Sequence, residues 1–176
     1  QEEVPIRILR GTESDILSDG NLDFPDDVLE RFDVVIASIH ARHRMNAEAM
    51  TARLERALSL PIFKIWGHAL GRILNHRPPI DCDVPRLLDR LAASRGAVEI
   101  NADPQRLDLA PAWLPAARER GLPFVVSVDA HSTRGLDVLR YGVSMARRGG
   151  IRRGEVLNTL PADAFAERVR PVGACH

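Results

Sequence analysis

The chain is notable first for what it lacks. Only two cysteines occur among its 176 residues, Cys82 and Cys175. Their spacing fits no metal knuckle and no disulfide framework, and a reducing, cytoplasmic setting is expected. No apolar run is long enough to span a bilayer, so no membrane segment is expected, and no secretory signal is legible. Net charge is absent too: 24 basic residues balance 24 acidic ones. A global basic field of the kind that gathers nucleic acid is thereby excluded. Lysine occurs once, at Lys64, and every other basic residue is arginine. There is no internal repeat, low-complexity tract or linker that would divide the chain, which reads as one domain over residues 1–176. Nor is there a Ser or Cys nucleophile with a placed base, so covalent catalysis has no support in the sequence.

What is present is an alternation of short apolar runs with amphipathic stretches, the pattern of parallel α/β structure. Strands are expected at residues 6–9 continuing toward Glu13, at 33–39, at 62–66, at 97–100 and at 124–128. Helices are expected at 25–32, then after an Asn46 cap with Met50, Leu54 and Leu58 on one face. A third follows the Asp83 cap, with Leu87, Leu88 and Leu91 inward and Gly96 as its stop. Others are expected at 111–120, through Leu136, Leu139, Val143 and Ala146 to Gly149-Gly150, and at 162–169. Asp19-Gly20 reads as a tight turn.

The carboxyl ends of these runs carry polar side chains: Glu13, His40, His68, Asn101, and then Asp129 and His131. In parallel α/β barrels those ends gather at one rim and hold the chemistry. Asp129 and His131 are two residues apart, so they point the same way if the strand stays extended that far. Carboxylate oxygens and imidazole nitrogens are ligands for divalent metals. Arg42 and Arg72 lie just beyond histidines, where a guanidinium can take a phosphate oxygen bidentately. Asn101 either steadies a water in such a site or ties a loop. His43, His76 and His176 fall away from the strand ends and are read as non-ligands. Residues 134–153 hold six arginines and one acid, Asp137, which is read chiefly as a solvated helix face.

Several segments together resemble the PHP (polymerase and histidinol phosphatase) family. They are Gly11-Thr12-Glu13-Ser14-Asp15, Ala37-Ser38-Ile39-His40, Gly67-His68 with Gly71-Arg72, Glu99-Ile100-Asn101-Ala102-Asp103-Pro104, Asp129-Ala130-His131-Ser132, and Arg140-Tyr141-Gly142-Val143 with Ala146-Arg147-Arg148-Gly149. The likeness is closest to the C-terminal PHP domain of bacterial family X DNA polymerases. It implies the C-terminal portion of a distorted, TIM-like β/α barrel, and a partial domain, because the family's N-terminal HxH strands have no counterpart here.

The resemblance also implies an activity: a metal-dependent phosphoesterase, acting as a 3′-5′ exonuclease or 3′-phosphatase in DNA repair. Its cofactor would be a divalent metal, manganese or zinc, with iron as a further choice. Glu13 would bridge two ions, His40 and His68 would hold one of them, Asp129 the other, and His131 a third. The catalytic set is then Glu13, His40, Asp129 and His131, and the substrate-binding set is Arg42, Arg72 and Asn101. Expected partners are DNA 3′ ends or a phosphorylated small molecule, an upstream polymerase or the missing barrel strands, and a second copy through open strand edges. The competing readings are a small-molecule phosphatase of histidinol-phosphatase type and a non-catalytic structural module.

Overall fold

The computed structural model describes residues 6–172. Five strands, β1 (Gly11–Asp15), β2 (Val34–Ser38), β3 (Lys64–Trp66), β4 (Gly96–Asn101) and β5 (Phe124–Ser127), form one sheet in the order β1-β2-β3-β4-β5. Every neighbouring pair is parallel. Parallel neighbours need a crossover, and the helices supply it. α1 (Asp26–Leu29), α2 (Ala47–Leu58), α3 (Val84–Ala92) and α4 (Leu114–Glu119) each join one strand to the next. α5 (Leu139–Arg148) and α6 (Ala162–Val169) follow β5. The α/β class and the strand count therefore agree with the sequence reading.

Side-chain alternation along the strands divides the apolar residues between two faces. Val35, Ala37, Trp66, Val98, Ile100 and Val126 meet Met50, Leu54 and Leu58 of α2, Leu87, Leu88 and Leu91 of α3, and Leu114 of α4. On the opposite face a smaller cluster joins Phe63, Ile65, Ala97 and Val125 to Leu157 and to Val169 of α6. Parallel strands covered on both faces read as continuous apolar runs, and β4 is buried at every position. The caps also form as expected: Asn46 accepts from the Ala49 N–H at 2.8 Å and Asp83 from the Arg86 N–H at 3.1 Å.

Four expectations are corrected. The first strand is not at residues 6–9: pairing begins at Gly11, opposite Val34, while Ile6 and Ile8 stay exposed. Gly96 does not stop α3; Ala93 caps that helix and Gly96 opens β4, against Lys64 of β3. The fifth strand ends at Ser127, short of Asp129 and His131. The stripe Leu136, Leu139 and Val143 faces outward, and α5 instead rests on the sheet through Gly142, Met145 and Ala146. A Cβ on Gly142 would lie 2.5 Å from Val126 Cγ1, so the helix approaches more closely than a leucine allows. The remaining helix and strand ends shift by a few residues; the expected 111–120 helix is Leu114–Glu119, for example.

Candidate metal centre

β1 and β2 run in register with Glu13 opposite Ile36 and Asp15 opposite Ser38. Glu13 is thus the middle residue of β1, two residues before its carboxyl end, and His40 follows two residues beyond β2. Gly67 and His68 continue from β3. Gly67 has to be small, because a Cβ there would lie 2.4 Å from both Ile36 Cγ2 and Ser38 Oγ. The close approach brings His68 beside β1 and β2.

Three side chains converge. His40 Nε2 lies 3.2 Å and His68 Nε2 2.9 Å from the same Glu13 oxygen. The two imidazole rings stand nearly perpendicular, with centroids 5.2 Å apart. One donor atom from each of the three residues lies within 4.8 Å of the others. The His68 side chain is 3 % exposed, whereas those of Glu13 and His40 are 34 % and 39 % exposed, so the cluster opens to solvent on one side.

The cluster fits a cation. His68 Nε2 pairs with Glu13 at 2.9 Å, while the other ring nitrogen of this buried histidine, Nδ1, has no hydrogen-bond partner among the described residues. A carboxylate oxygen and two imidazole nitrogens brought this close form a donor set for a positive ion. Three N/O ligands with one open side suit a catalytic divalent metal. The electrostatics agree. His68 beside it, helped by Ser38 and His40 against the opposing effect of burial, holds the Glu13 carboxyl down at about 2. Burial, the largest single influence, disfavours the charged form of His68, but Glu13 and Glu99 act against it and the pKa is raised.

The other expected site residues are placed differently. Asp129 has φ 50, a left-handed conformation, and its carboxylate lies 3.8 Å from Arg106 Nε. The His131 side chain is 87 % exposed, and its Nδ1 is 2.7 Å from the Asp129 carbonyl oxygen. Neither joins the three-residue cluster, because the chain leaves the sheet at Ser127 and turns before reaching them. Asn101 is fully buried; it donates to Glu99 and accepts from the Asp103 N–H, so it ties a loop. Arg72 is occupied with the carbonyl oxygens of Arg106 and Leu107. Arg42 is exposed, with φ 55, and lines a cavity of about 340 Å³ together with Asp15, Ser18 and Asp19. His43 packs beside Gly71, and His76 is exposed in a loop. His176 lies outside the described residues.

Sequence reasoning missed three acids. Asp15 contacts His40 Nδ1 from β1. Glu99 is 4 % exposed and accepts from the His68 N–H. Asp108 is fully buried and accepts from the Leu70 N–H at 2.8 Å, while burial pushes its carboxyl up to about 6. Asp15 was within reach of the two-residue alternation rule applied to Glu13. Glu99 and Asp108 carry no comparable local signal.

No protein-family model matches the chain. Similarity to individual proteins is clear. Over 165 residues the chain is 41 % identical to the DNA polymerase/3′-5′ exonuclease PolX of Bacillus subtilis (strain 168), an alignment spanning 92 % of this chain and 29 % of that protein. It is 27 % identical over 164 residues to a probable phosphatase of Thermoanaerobacter sp. (strain X514), covering 88 % of this chain and 64 % of the relative. A probable phosphatase of Caldanaerobacter subterraneus subsp. tengcongensis is 28 % identical over 166 residues, with 88 % and 62 % covered. The chain therefore spans under a third of the polymerase and a little under two thirds of the phosphatases.

Proposed function

From its kinship, as a PHP-type chain, with PolX and with bacterial probable phosphatases, we propose that this chain is the metal-holding part of a phosphoesterase. Its favoured substrate is the 3′ end of DNA, cleaved as a 3′-5′ exonuclease or 3′-phosphatase in repair. The observation that carries the reading is the convergence of Glu13 of β1 with His40 and His68, which follow the carboxyl ends of β2 and β3. The surrounding architecture is then part of a barrel whose β1 edge would pair with further strands of the same domain or with a second copy, whereas the β5 edge is already engaged by Val156 and Asn158. A cytoplasmic setting suits the reading, and no helix among the described residues is long and apolar enough to cross a membrane.

Glu13, His40 and His68 would hold one divalent ion, manganese or zinc by preference and iron as a third choice. Such an ion supplies Lewis-acid charge to a phosphoryl oxygen and lowers the pKa of water. The chain's own residues do the rest. Glu13 stays ionised through the neutral range and keeps its charge for the ion. Asp15 on His40 Nδ1 leaves Nε2 facing the cluster. Arg42, exposed two residues after His40, is the assigned contact for the phosphate. Arg72, bound to backbone oxygens, orders the loop that follows His68. Asp129 and His131 are assigned to further ion positions, as catalytic partners separate from the first.

The kinship to phosphatases favours a second reading, a phosphomonoesterase acting on a small molecule. One experiment separates the two. The chain, supplied with Mn²⁺ or Zn²⁺, is assayed on single-stranded DNA bearing a 3′ hydroxyl or 3′ phosphate and on histidinol phosphate, with chelator and Glu13→Gln controls. Metal-dependent shortening of DNA or release of its 3′ phosphate, lost in Glu13→Gln, supports the first reading. Turnover of histidinol phosphate alone supports the second. Ion binding without turnover of any substrate supports a structural module, and absence of ion binding overturns the proposal.

A further inference from the structure

Glu99 lies in β4 two residues beyond Ala97, so it faces the side of the smaller apolar cluster. A buried carboxylate is tolerated where donors surround it, and here they come from three segments. One oxygen accepts from the Ser127 hydroxyl at the end of β5. The other accepts from the His68 backbone N–H, just past β3, and from Asn101 Nδ2 at 3.3 Å.

The His68 N–H matters because of the backbone around it. His68 has φ 25, outside the conformations that a residue with a side chain normally adopts. Such positions cost roughly 1–3 kcal/mol and persist only where their surroundings over-determine them. The turn is held at two more points: the Gly71 N–H donates to the His68 carbonyl at 2.7 Å, and the Leu70 N–H donates to Asp108. Of these holds, the one from Glu99 comes from a side chain and engages the His68 N–H.

We propose that Glu99 is a positioning residue of the site: through the His68 N–H it fixes the turn that delivers the His68 imidazole to Glu13. Its bonds to Ser127 and Asn101 set that turn in register with β4 and β5. The consequence for affinity rests on reading Glu13, His40 and His68 as an ion site; the hold on the turn does not.

The test uses Glu99→Ala, Glu99→Gln and Ser127→Ala with two readouts: the His68 amide in the ion-free protein by NMR, and Mn²⁺ or Zn²⁺ affinity by calorimetry. In Glu99→Ala the His68 amide should move upfield and lose exchange protection, and affinity should fall by about 10- to 100-fold, as for other supports behind a ligand. Glu99→Gln keeps an oxygen acceptor and should recover the amide position and most of the affinity. Ser127→Ala removes an anchor but keeps the charge; it should shift the amide and weaken binding several-fold. If Glu99→Ala does not fold, the other two variants decide. An unmoved His68 amide overturns the proposal, as does equal loss of affinity in Ala and Gln, which would mean that charge rather than the hydrogen bond matters. If the parent binds no ion, the amide readout still decides the positioning role, and only the ion-site reading fails.

Discussion

Asp15 closes on the Nδ1 atom of His40. The contact comes from the strand that also carries Glu13, two residues earlier, whose oxygen lies 3.2 Å from the other ring nitrogen. The imidazole is therefore held between two carboxylates that share one face of β1. A carboxylate behind a ligating histidine fixes its tautomer and ring orientation. Asp15→Asn should keep the fold, since Asp15 is part-exposed, and should weaken divalent-ion binding by about tenfold. Calorimetric titration checks this, with NMR of the His40 ring to report the tautomer. Unchanged affinity with an unchanged tautomer would remove Asp15 from the account.

His68 and His131 separate under mutation. His68 is buried against Glu13, whereas the His131 side chain is largely in solvent and contacts Asp129 in its own loop. A single ion should thus bind among Glu13, His40 and His68. His68→Ala should abolish its binding, and His131→Ala should leave it within about twofold, the range of small surface changes. Equal loss in both variants would place the ion elsewhere.

These two pairs also show where the sequence could be read and where it could not. The alternation rule places Glu13 and Asp15 together because the ladder continues through Asp15, opposite Ser38. For Asp129 and His131 the same rule fails. The last cross-strand bond of β5 runs from the Ala102 N–H to the Ser127 carbonyl, and the backbone is left-handed by Asp129. The existence of β2 to β5 was legible in the apolar runs, whereas β1 is the polar stretch Gly11–Asp15 beyond its apolar run; strand ends depend on which partner still has a free edge. The outward turn of Leu136, Leu139 and Val143 shows the same limit, because their spacing suits a buried face and the contact at Gly142 decides otherwise. Glu99 was hidden for a third reason: its role comes from three segments meeting, and no local spacing encodes that.

Gly67 couples packing to the site. Its missing side chain lets β3 pass within reach of Ile36 and Ser38, and His68 is the next residue. Gly67→Ala forces a methyl into contacts of 2.4 Å, and overpacking of that kind costs about 1–3 kcal/mol. The strand end must shift, and His68 with it. Thermal melting should fall by several degrees, and ion affinity should drop together with it. A variant with unchanged melting and affinity would show that this approach is looser than the distances indicate.

Lys64 sets a pH dependence away from the site. Its ammonium is fully buried and donates to the carbonyls of Leu60 and Ile62 and to Ser94 Oγ. Burial, assisted by the charge of Arg95, pulls its pKa down to about 7. In the unfolded chain the amine titrates near 10.4, the ordinary lysine value, so between about 7 and 10.4 the unfolded state binds the additional proton. Stability from this group must therefore rise with pH across that window, and below it the burial penalty stands in full. Each pH unit is worth at most about 1.4 kcal/mol, which makes the whole rise on the order of a few kcal/mol. Lys64→Met removes the titration. The difference in unfolding free energy, parent minus variant, should climb from pH 7 to pH 10 and stay flat from pH 5.5 to 6.5. Parallel profiles over the full range, measured by denaturant titration, would show that Lys64 keeps its proton in the fold.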